Sequence, residues 1–253
     1  MVAVSVIMPI YNVADGLRRS IQCLLNQTYK DFELILVNDG STDGSGHICD
    51  EFQKKDSRIQ VIHQANAGSG LARNAGLDRA TGHYIYFSDP DDYVEAELIK
   101  DNLKIARENK ANVVVFGYYV EEINIKGKRI MTAQLPSLSV LNTKEDFRKN
   151  FRAFQNLDSN ILWNKFYKHL YLLENNCRFT DQRVGQDALF NHLVYRNLDG
   201  IYFNQIPYYH YVSRVGSAVN RYHPDRFLLE YTLAEQIKKL IVTWHYEQIY
   251  QDL

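Results

Sequence analysis

Short apolar runs alternate with amphipathic segments along the first half of the chain. Four runs, over residues 2–8, 32–37, 59–62 and 84–87, are short and apolar on both faces, which is typical of buried parallel strands. The segments between them carry apolar residues at helical spacing, and we expect Asp15 to cap the first of these helices. Strand–helix alternation with short links predicts an α/β fold with a doubly wound, mostly parallel sheet.

The pattern changes in the second half of the chain. A helix over residues 95–109 and a strand over 113–120 extend the sheet, and residues 123–130 alternate around a glycine as in an exposed hairpin. We then expect a helix that starts near Thr143 and helical structure through residues 161–167. The remaining predicted elements are a helix opened by residues 183–187, short strands over 201–203 and 208–212, and an amphipathic helix over 227–244.

Polar clusters follow the predicted strands. Residues 38–43 and 66–74 are rich in Asn, Asp, Ser or Gly, residues 89–92 hold three Asp, residues 9–12 end in Asn12, and each stretch comes after an apolar run. In a doubly wound sheet, ligands bind outside the carboxyl ends of the strands. The sequence therefore predicts that these four clusters meet at one edge of the sheet and form the functional site there.

Three carboxylates follow the fourth strand, in the turn Ser88-Asp89-Pro90-Asp91-Asp92. Carboxylates at the end of a buried strand repel one another, so their burial requires compensation. Mg²⁺ or Mn²⁺ would provide it, because these ions prefer oxygen ligands and bridge to phosphates, and the proline would stiffen the turn. The other interpretation is a solvated surface turn, in which Asp and Pro are common.

Composition and charge exclude several classes of protein. The 253 residues carry a net charge of −1 with scattered Lys and Arg, which argues against nucleic-acid binding. The three cysteines form no CxxC pair and are expected to be reduced thiols of a cytosolic protein. Residues 1–8 lack a basic lead and predict a strand rather than a signal peptide, and no apolar run is long enough to span a bilayer.

Two common nucleotide-binding motifs are missing from their expected places. The first strand is followed by Pro9-Ile10-Tyr11-Asn12, which does not match the G-x-G-x-x-G of dinucleotide-binding folds. Gly68-Ser69-Gly70 comes late in the chain and no Gly-Lys-Ser/Thr follows it, so a P-loop is not predicted.

Taken together, the motifs resemble the GT-A-fold glycosyltransferases of family 2 over residues 1 to about 217. The acidic turn stands in the place of the family's DXD motif. The other matching stretches are residues 4–12, 37–43, 66–74, 163–165 and 185–187. The resemblance implies a Rossmann-like, mostly parallel sheet flanked by helices with a small C-terminal helical/β acceptor region. The implied division is a nucleotide-sugar-binding core over 1–120, an acceptor-binding and catalytic-base region over 121–220 continuous with it, and a C-terminal amphipathic helix over 221–253.

The resemblance also implies that a nucleotide-sugar donor, usually of uridine, lies across the first half of the chain. Asp39 would accept a hydrogen bond from the uracil imide N–H, Tyr11 would lie beside the ring, and Arg73 would support the base or the diphosphate. Their ordinary alternatives are a helix-capping turn, core packing and a surface ion pair. The implied nucleotide-binding residues are Pro9, Tyr11, Asn12, Asp39, Asn66, Arg73 and Asp89.

Metal, base and acceptor residues follow in the same way. Asp91 would bind Mn²⁺ or Mg²⁺ directly, with Asp89 helping through the ribose or a metal-bound water. Asp187 stands where the family has its catalytic base, although a helix cap is the plain alternative. The preceding residue is Gln186, where the family commonly has Glu. The implied acceptor and lid residues are Trp163, Lys165, Gln186, Arg214 and Ser217.

The resemblance thus implies an inverting enzyme that moves a sugar from a nucleotide donor, expected to be UDP-linked, to a hydroxyl acceptor. Carbohydrates or lipid-linked glycans of cell-surface polysaccharides are the expected acceptors, at the cytoplasmic face of the membrane. A catalytically silent donor- or partner-binding subunit, favoured by Gln186, and a sugar-phosphate nucleotidyltransferase are the alternatives. The last helix is expected to pack on the core, on a second copy in a homodimer, or peripherally on a membrane.

Overall fold

One mixed sheet runs through the protein. The computed structural model describes residues 2–123, 128–136, 140–155, 159–182, 185–213 and 226–247. The ten strands in these ranges are β1 Val4–Ile10, β2 Phe32–Asp39, β3 Ile59–Gln64, β4 Tyr84–Phe87, β5 Tyr93–Val94, β6 Val113–Ile123, β7 Arg129–Gln134, β8 Val140–Leu141, β9 Lys165–Lys168 and β10 Ile201–Val212. They pair in the order β3-β2-β1-β4-β9-β6-β10-β5, with β7 beside β6 and β8 beside β10.

Parallel pairing dominates the half of the sheet that carries the predicted polar clusters. β1 lies between β2 and β4 and is parallel to both, with Val4 opposite Phe32 on one side and Tyr84 on the other. All seven residues of β1 are buried, as expected for a strand covered on both faces. The shared direction brings the carboxyl ends of β1, β2 and β4 to one edge.

Helices cover both faces of the sheet. The helices in the described ranges are α1 Ala14–Leu25, α2 Ser45–Gln53, α3 Ser69–Arg79, α4 Leu98–Glu108, α5 Lys144–Lys149, α6 Phe151–Gln155, α7 His169–Glu174, α8 Gln186–Arg196 and α9 Arg226–Trp244. Because side chains alternate along a strand, Val6 and Met8 pack on the face covered by α1, α2 and α4, whereas Ile7 packs with α3 on the other face. The layer on the Ile7 face is extended by α5, α6, α8 and α9.

The helix predicted through residues 161–167 is wrong. Residues 165–168 form β9, which is antiparallel to both β4 and β6 and lies between them. Phe166 stacks on Tyr86 with a centroid separation of 5.2 Å, while Tyr167 packs edge-on against Phe87 on the opposite face. Four residues are too few to show a strand period in the sequence, and the charged Lys165 and Lys168 at both ends of β9 do not indicate a buried strand.

Two smaller predictions also need correction. Asp15 does not cap α1, because the N-cap is Val13, Asp15 lies inside the element, and the N-cap residue makes no side-chain capping hydrogen bond. The N–H of Ala14 instead donates to the Asp43 carboxylate at 2.9 Å, so the loop after β2 caps the helix. The two short strands predicted over 201–203 and 208–212 form the single strand β10, which shifts register around Pro207. The predicted hairpin is confirmed by the antiparallel pairing of β6 with β7.

The C-terminal helix α9 packs on the core. The indole N–H of Trp244 donates to the carbonyl of Arg196 at 2.9 Å, and its ring lies edge-on against Phe151 at 5.1 Å. Phe227, at the other end of α9, is 83% exposed. Among the helices in the described ranges, none has both the length and the apolar character needed to cross a bilayer.

Candidate functional site

The loops after β1 and β2 are tied together at the carboxyl edge of the sheet. Asn12 has a positive φ of 50°, and its side-chain oxygen accepts a hydrogen bond from the N–H of Thr42 at 2.8 Å. Its own N–H donates to the Ser41 hydroxyl at 3.2 Å. Pro9 is buried within β1, whereas the side chain of Tyr11 is 51% exposed. Core packing, the plain alternative for Tyr11, is therefore excluded, and its ring is open to a ligand.

Asp39 lies at the end of β2 and anchors the glycine-rich start of α3. Its carboxylate accepts hydrogen bonds from the N–H groups of Ala67 and Gly68, each at 2.9 Å, and from the Gln64 amide at 2.7 Å. A carboxylate offers about four acceptor positions, so one remains for another donor. Asp39 is only 1% exposed, so its carboxylate lies at the base of the site.

Asn66 contacts the backbone of Asp39 at the end of β2. Its side-chain amide donates to the backbone carbonyl of Asp39 at 3.1 Å, while the residue itself is exposed. Gly40 has a φ of +75°, and a Cβ there would lie 2.8 Å from the backbone N of Asn66. A glycine is needed at this position because the conformation is left-handed and the two backbones touch.

The acidic turn divides into one buried structural carboxylate and two half-buried ones. Asp92 is 3% exposed and accepts hydrogen bonds from the Tyr209 hydroxyl at 2.7 Å and the Val212 N–H at 2.9 Å. Burial and the neighbouring Asp91 raise the pKa of Asp92 to about 8. Asp89 and Asp91 are only half-buried. Asp92 therefore fastens β10 to the turn and leaves the other two for chemistry.

Arg73 joins the acidic turn to the predicted base. Its side chain is 5% exposed, and its two terminal amino groups each donate at 2.9 Å, one to Asp89 and one to Asp187. The guanidinium carbon lies 5.5 Å from the centre of the Phe179 ring. A surface ion pair, the plain alternative for Arg73, is thus excluded.

Asp187 stands in the first turn of α8 without capping it. The N-cap is Gly185, and no side chain makes a capping hydrogen bond there. Burial raises the pKa of Asp187, although 36% of its side chain stays exposed, and the positive charge of Arg73 opposes that rise. A partly exposed carboxylate with a raised pKa is suited to accept a proton.

Gln186 is buried against the start of α3. It is 8% exposed, and its amide group donates to the hydroxyl of Ser69 at the start of α3. Its side-chain oxygen is buried without a hydrogen-bond partner in the described part of the chain, and it lies against Gly70. The replacement of the common Glu therefore acts first on the glycine-rich loop.

Trp163 lies on an aromatic wall beside the turn. Its indole stacks on Tyr209 at 4.1 Å and on Tyr211 at 5.9 Å, and it meets Tyr118 edge-on at 4.9 Å. Trp163, Tyr211 and Tyr118 are each partly exposed, as a sugar-binding platform requires. Because Tyr209 also holds Asp92, the wall and the acidic turn are one packed unit.

Lys165 is fully buried, so the structure places it behind the site rather than on an open acceptor face. Its ammonium donates to the carbonyl of Ile161 and, at 2.8 Å, to the side-chain oxygen of Asn164. Its charge lowers the pKa of Asp187, against the effect of burial. Arg214 and Ser217, the predicted lid residues, lie outside the described residues.

Sequence reasoning missed Gln64, Tyr209 and Phe179, which hold Asp39, Asp92 and Arg73 respectively. Gln64 is the last residue of β3 and lies opposite Asp39 at the carboxyl edge of the sheet. The rule that ligands bind at the carboxyl ends of strands could therefore have identified Gln64 as it identified Asp39. Tyr209 could have been found from the alternation in β10, which puts it on the same face as Tyr211. Nothing local in the sequence marks Phe179, because its role depends on contacts across the fold.

The two half-buried carboxylates fit a divalent cation that is shared with a phosphate ligand. Asp89 and Asp91 supply the hard oxygen donors that Mg²⁺ and Mn²⁺ prefer. In the described residues, no group of three or more Asp, Glu, His or Cys side chains is arranged to hold a metal. Mg²⁺ is commonly held by only one or two carboxylates plus substrate phosphates, so two carboxylates suffice.

Sequence comparison places these residues among known enzymes. The glycosyl transferase family 2 model matches residues 5–172. Glycosyltransferase GlyA of Streptococcus pneumoniae serotype 4 is 33% identical over 221 residues, covering 85% of this chain and 31% of that protein. The uncharacterized glycosyltransferase EpsJ of Bacillus subtilis is 35% identical over 199 residues, covering 78% of this chain and 57% of that protein. The chain thus spans about a third to just over half of these two relatives.

Structural comparison gives the same fold. TarS 1–349 of S. aureus in complex with UDP-GlcNAc superposes with a TM-score of 0.77 at 22% identity, covering 98% of this chain and 70% of that one. The same protein in complex with UDP gives a TM-score of 0.74 at 23% identity, covering 98% and 69%. These likenesses confirm the predicted GT-A architecture.

Proposed function

Since the chain belongs to glycosyltransferase family 2, we propose that it is an inverting transferase that moves a sugar from a UDP donor to a hydroxyl acceptor. The observation that carries this proposal is the pairing of Arg73 with both Asp89 and Asp187. One guanidinium thereby connects the acidic turn, where a leaving diphosphate would sit, with the carboxylate that would activate the acceptor.

The donor half of the proposal rests on Asp39 and Tyr11. The free acceptor position of the Asp39 carboxylate suits the imide N–H of uracil, and the exposed Tyr11 ring offers a face to the base. Cytosine and adenine present a different hydrogen-bonding edge. The UDP and UDP-GlcNAc complexes of the related fold support a uridine donor.

Asp91, with Asp89 beside it, would hold Mn²⁺ or Mg²⁺ together with the diphosphate. When bound, such a cation stabilises the negative charge that develops as the sugar–phosphate bond breaks. The protein's own part is to present the two carboxylates from a turn fixed by Asp92, Tyr209 and Val212.

Asp187 would act as the general base. The acceptor oxygen forms a bond to the anomeric carbon while the bond from that carbon to the diphosphate oxygen breaks. The acceptor's proton passes to the Asp187 carboxylate, and inversion follows because the acceptor attacks opposite the leaving group. A positioned base of this kind typically contributes about 10²- to 10⁴-fold in rate.

A catalytically silent subunit is the second candidate, and Gln186 is the observation that favours it. The buried Gln186 side chain contacts Ser69 and leaves Asp187 ion-paired and partly exposed, so we place the enzyme first. The proposed acceptor is a carbohydrate or lipid-linked glycan of the cell surface, with the aromatic wall around Trp163 as its platform.

The test combines turnover with binding. Purified protein with Mn²⁺ is offered a panel of nucleotide sugars, and sugar transfer or donor hydrolysis is followed by mass spectrometry. UDP should raise the melting temperature more than ADP or CDP, since a ligand stabilises the state it binds. Asp187→Asn should lose about 10²- to 10⁴-fold in turnover yet still bind UDP. Binding of UDP without turnover of any donor would favour the silent subunit.

A further inference from the structure

Arg73 is buried and holds two carboxylates, which a surface ion pair does not explain. Its two partners come from distant parts of the chain, 16 and 114 residues away, and belong to the two halves of the site. The guanidinium is almost fully buried, while 28% of the Asp89 side chain and 36% of the Asp187 side chain remain exposed. The Arg73 guanidinium is thus buried, whereas the carboxylates of Asp89 and Asp187 remain partly accessible.

One aromatic ring and two ion pairs fix the orientation of the Arg73 guanidinium. Phe179 lies beneath it at 5.5 Å and is itself stacked on Phe190 at 4.1 Å. Within the described residues, the Nε of Arg73 has no hydrogen-bond partner, so the side chain is oriented by its two terminal amino groups and by the ring. An arginine fork can address two carboxylates at once, which a lysine ammonium on a flexible stem does less well.

Sharing one cation makes the two carboxylates interdependent. A buried guanidinium stays charged and needs paired partners, so weaker pairing at one carboxylate increases its attraction to the other. A ligand that engages Asp89 therefore releases part of Arg73 to Asp187. Conversely, removal of the Asp187 charge strengthens the hold of Arg73 on Asp89.

We propose that Arg73 is a positioning residue that couples the donor half of the site to the catalytic base, orienting Asp187 when a donor engages Asp89. This inference rests on the proposed function. Such coupling is reciprocal in free energy, so the state of Asp187 must also affect donor affinity.

The first test separates rate from binding. Arg73→Lys keeps the charge and removes the fork; we expect kcat to fall on the order of 10- to 100-fold, as for a base displaced by about 1 Å, with the donor KM changed only a few-fold. Arg79→Lys, an exposed position on the same helix, is the matched control and should leave kcat unchanged. A large rise in donor KM with unchanged kcat would instead make Arg73 a donor ligand and overturn the proposal.

The second test needs no turnover. Calorimetric binding of UDP with Mn²⁺ is measured for the wild type, Asp187→Asn, Arg73→Lys and the double variant. Asp187→Asn should weaken binding about three- to tenfold in the wild-type background, at or near the low end of allosteric couplings. The effect should shrink in the Arg73→Lys background, where the cation remains but the shared fork is lost. An equal effect in both backgrounds means that the carboxylates interact only through space and refutes the coupling.

A folding defect is distinguished by a variant that leaves both ion-pair partners in place. Phe179→Leu removes the ring that sets the guanidinium plane and should lower kcat in the same direction as Arg73→Lys, by a smaller factor. If Arg73→Lys and Phe179→Leu only lower the melting temperature and the active fraction, Arg73 is structural. If the wild type neither binds UDP nor turns over any donor, the proposed function fails instead.

Discussion

Replacing Asp92 by Asn should flatten the dependence of stability on pH. The folded protein holds the Asp92 carboxyl with a pKa of about 8, against an ordinary value of 3.8, because it is buried beside Asp91. Below about pH 4 the group is protonated in both states. Between pH 4 and 8 the unfolded chain releases the proton and the folded chain keeps it, so the free energy of unfolding falls as pH rises.

The magnitude follows from one proton. Each pH unit inside this window is worth up to about 1.4 kcal/mol, which for a protein of this size is roughly 3–6 °C in melting temperature. Asn retains the local geometry, since its oxygen can accept from the Val212 N–H and its amide can donate to the Tyr209 oxygen.

The assay is a melting series from pH 5 to 8 in excess chelator, on the wild type and Asp92→Asn. The wild type should lose stability with rising pH relative to the variant, and the two should converge towards pH 5. Mn²⁺ with UDP should reduce the wild-type slope, because added positive charge at the turn favours the ionised carboxyl. Parallel curves for the two proteins in chelator would refute the assignment of a buried, protonated Asp92.

Three further predictions concern single positions. Gly82→Ala should cost about 1–3 kcal/mol of stability, because its Cβ would lie 2.5 Å from the Ser5 backbone N; an unchanged melting temperature contradicts this. Asp39→Asn should lower both the melting temperature of the ligand-free protein and the affinity for UDP. The Asn amide would place a buried donor against the N–H groups of Ala67 and Gly68, which costs about 1–3 kcal/mol of stability; loss of UDP binding alone would limit Asp39 to recognition. Gln186→Glu should change UDP affinity more than acceptor preference, because the side chain contacts Ser69; calorimetry and an acceptor panel decide between the two.

The strand-end rule accounts for most of what the sequence could predict. Apolar runs placed β1 to β4 correctly, and their parallel direction explains why Asn12, Asp39 and Asp89 reach one edge. The start of α5 also followed from a local signal, because the hydroxyl of the N-cap residue Thr143 accepts from the N–H of Asp146 at 3.0 Å.

Residue roles that depend on contacts across the fold could not be read locally. Lys165 is charged and precedes two aromatics, which says nothing about its burial behind Asp187. Gln186 differs from the common residue, but only the packing against Gly70 shows which loop it touches. The segment around Arg73 predicts nucleotide binding, but nothing local in it shows that the side chain pairs with carboxylates on two other segments.

The position of β9 has a consequence for how the chain acquires its structure. β4 pairs with β1 on one side and must wait for β9 on the other, with residues 88–164 in between. Until residues 165–168 arrive, β4 presents an open edge with unpaired backbone groups, a form that is prone to pair with other chains. Closing so long a loop is slow compared with local contacts. During synthesis on the ribosome, the sheet around β4 is therefore completed only after residues 165–168 have emerged.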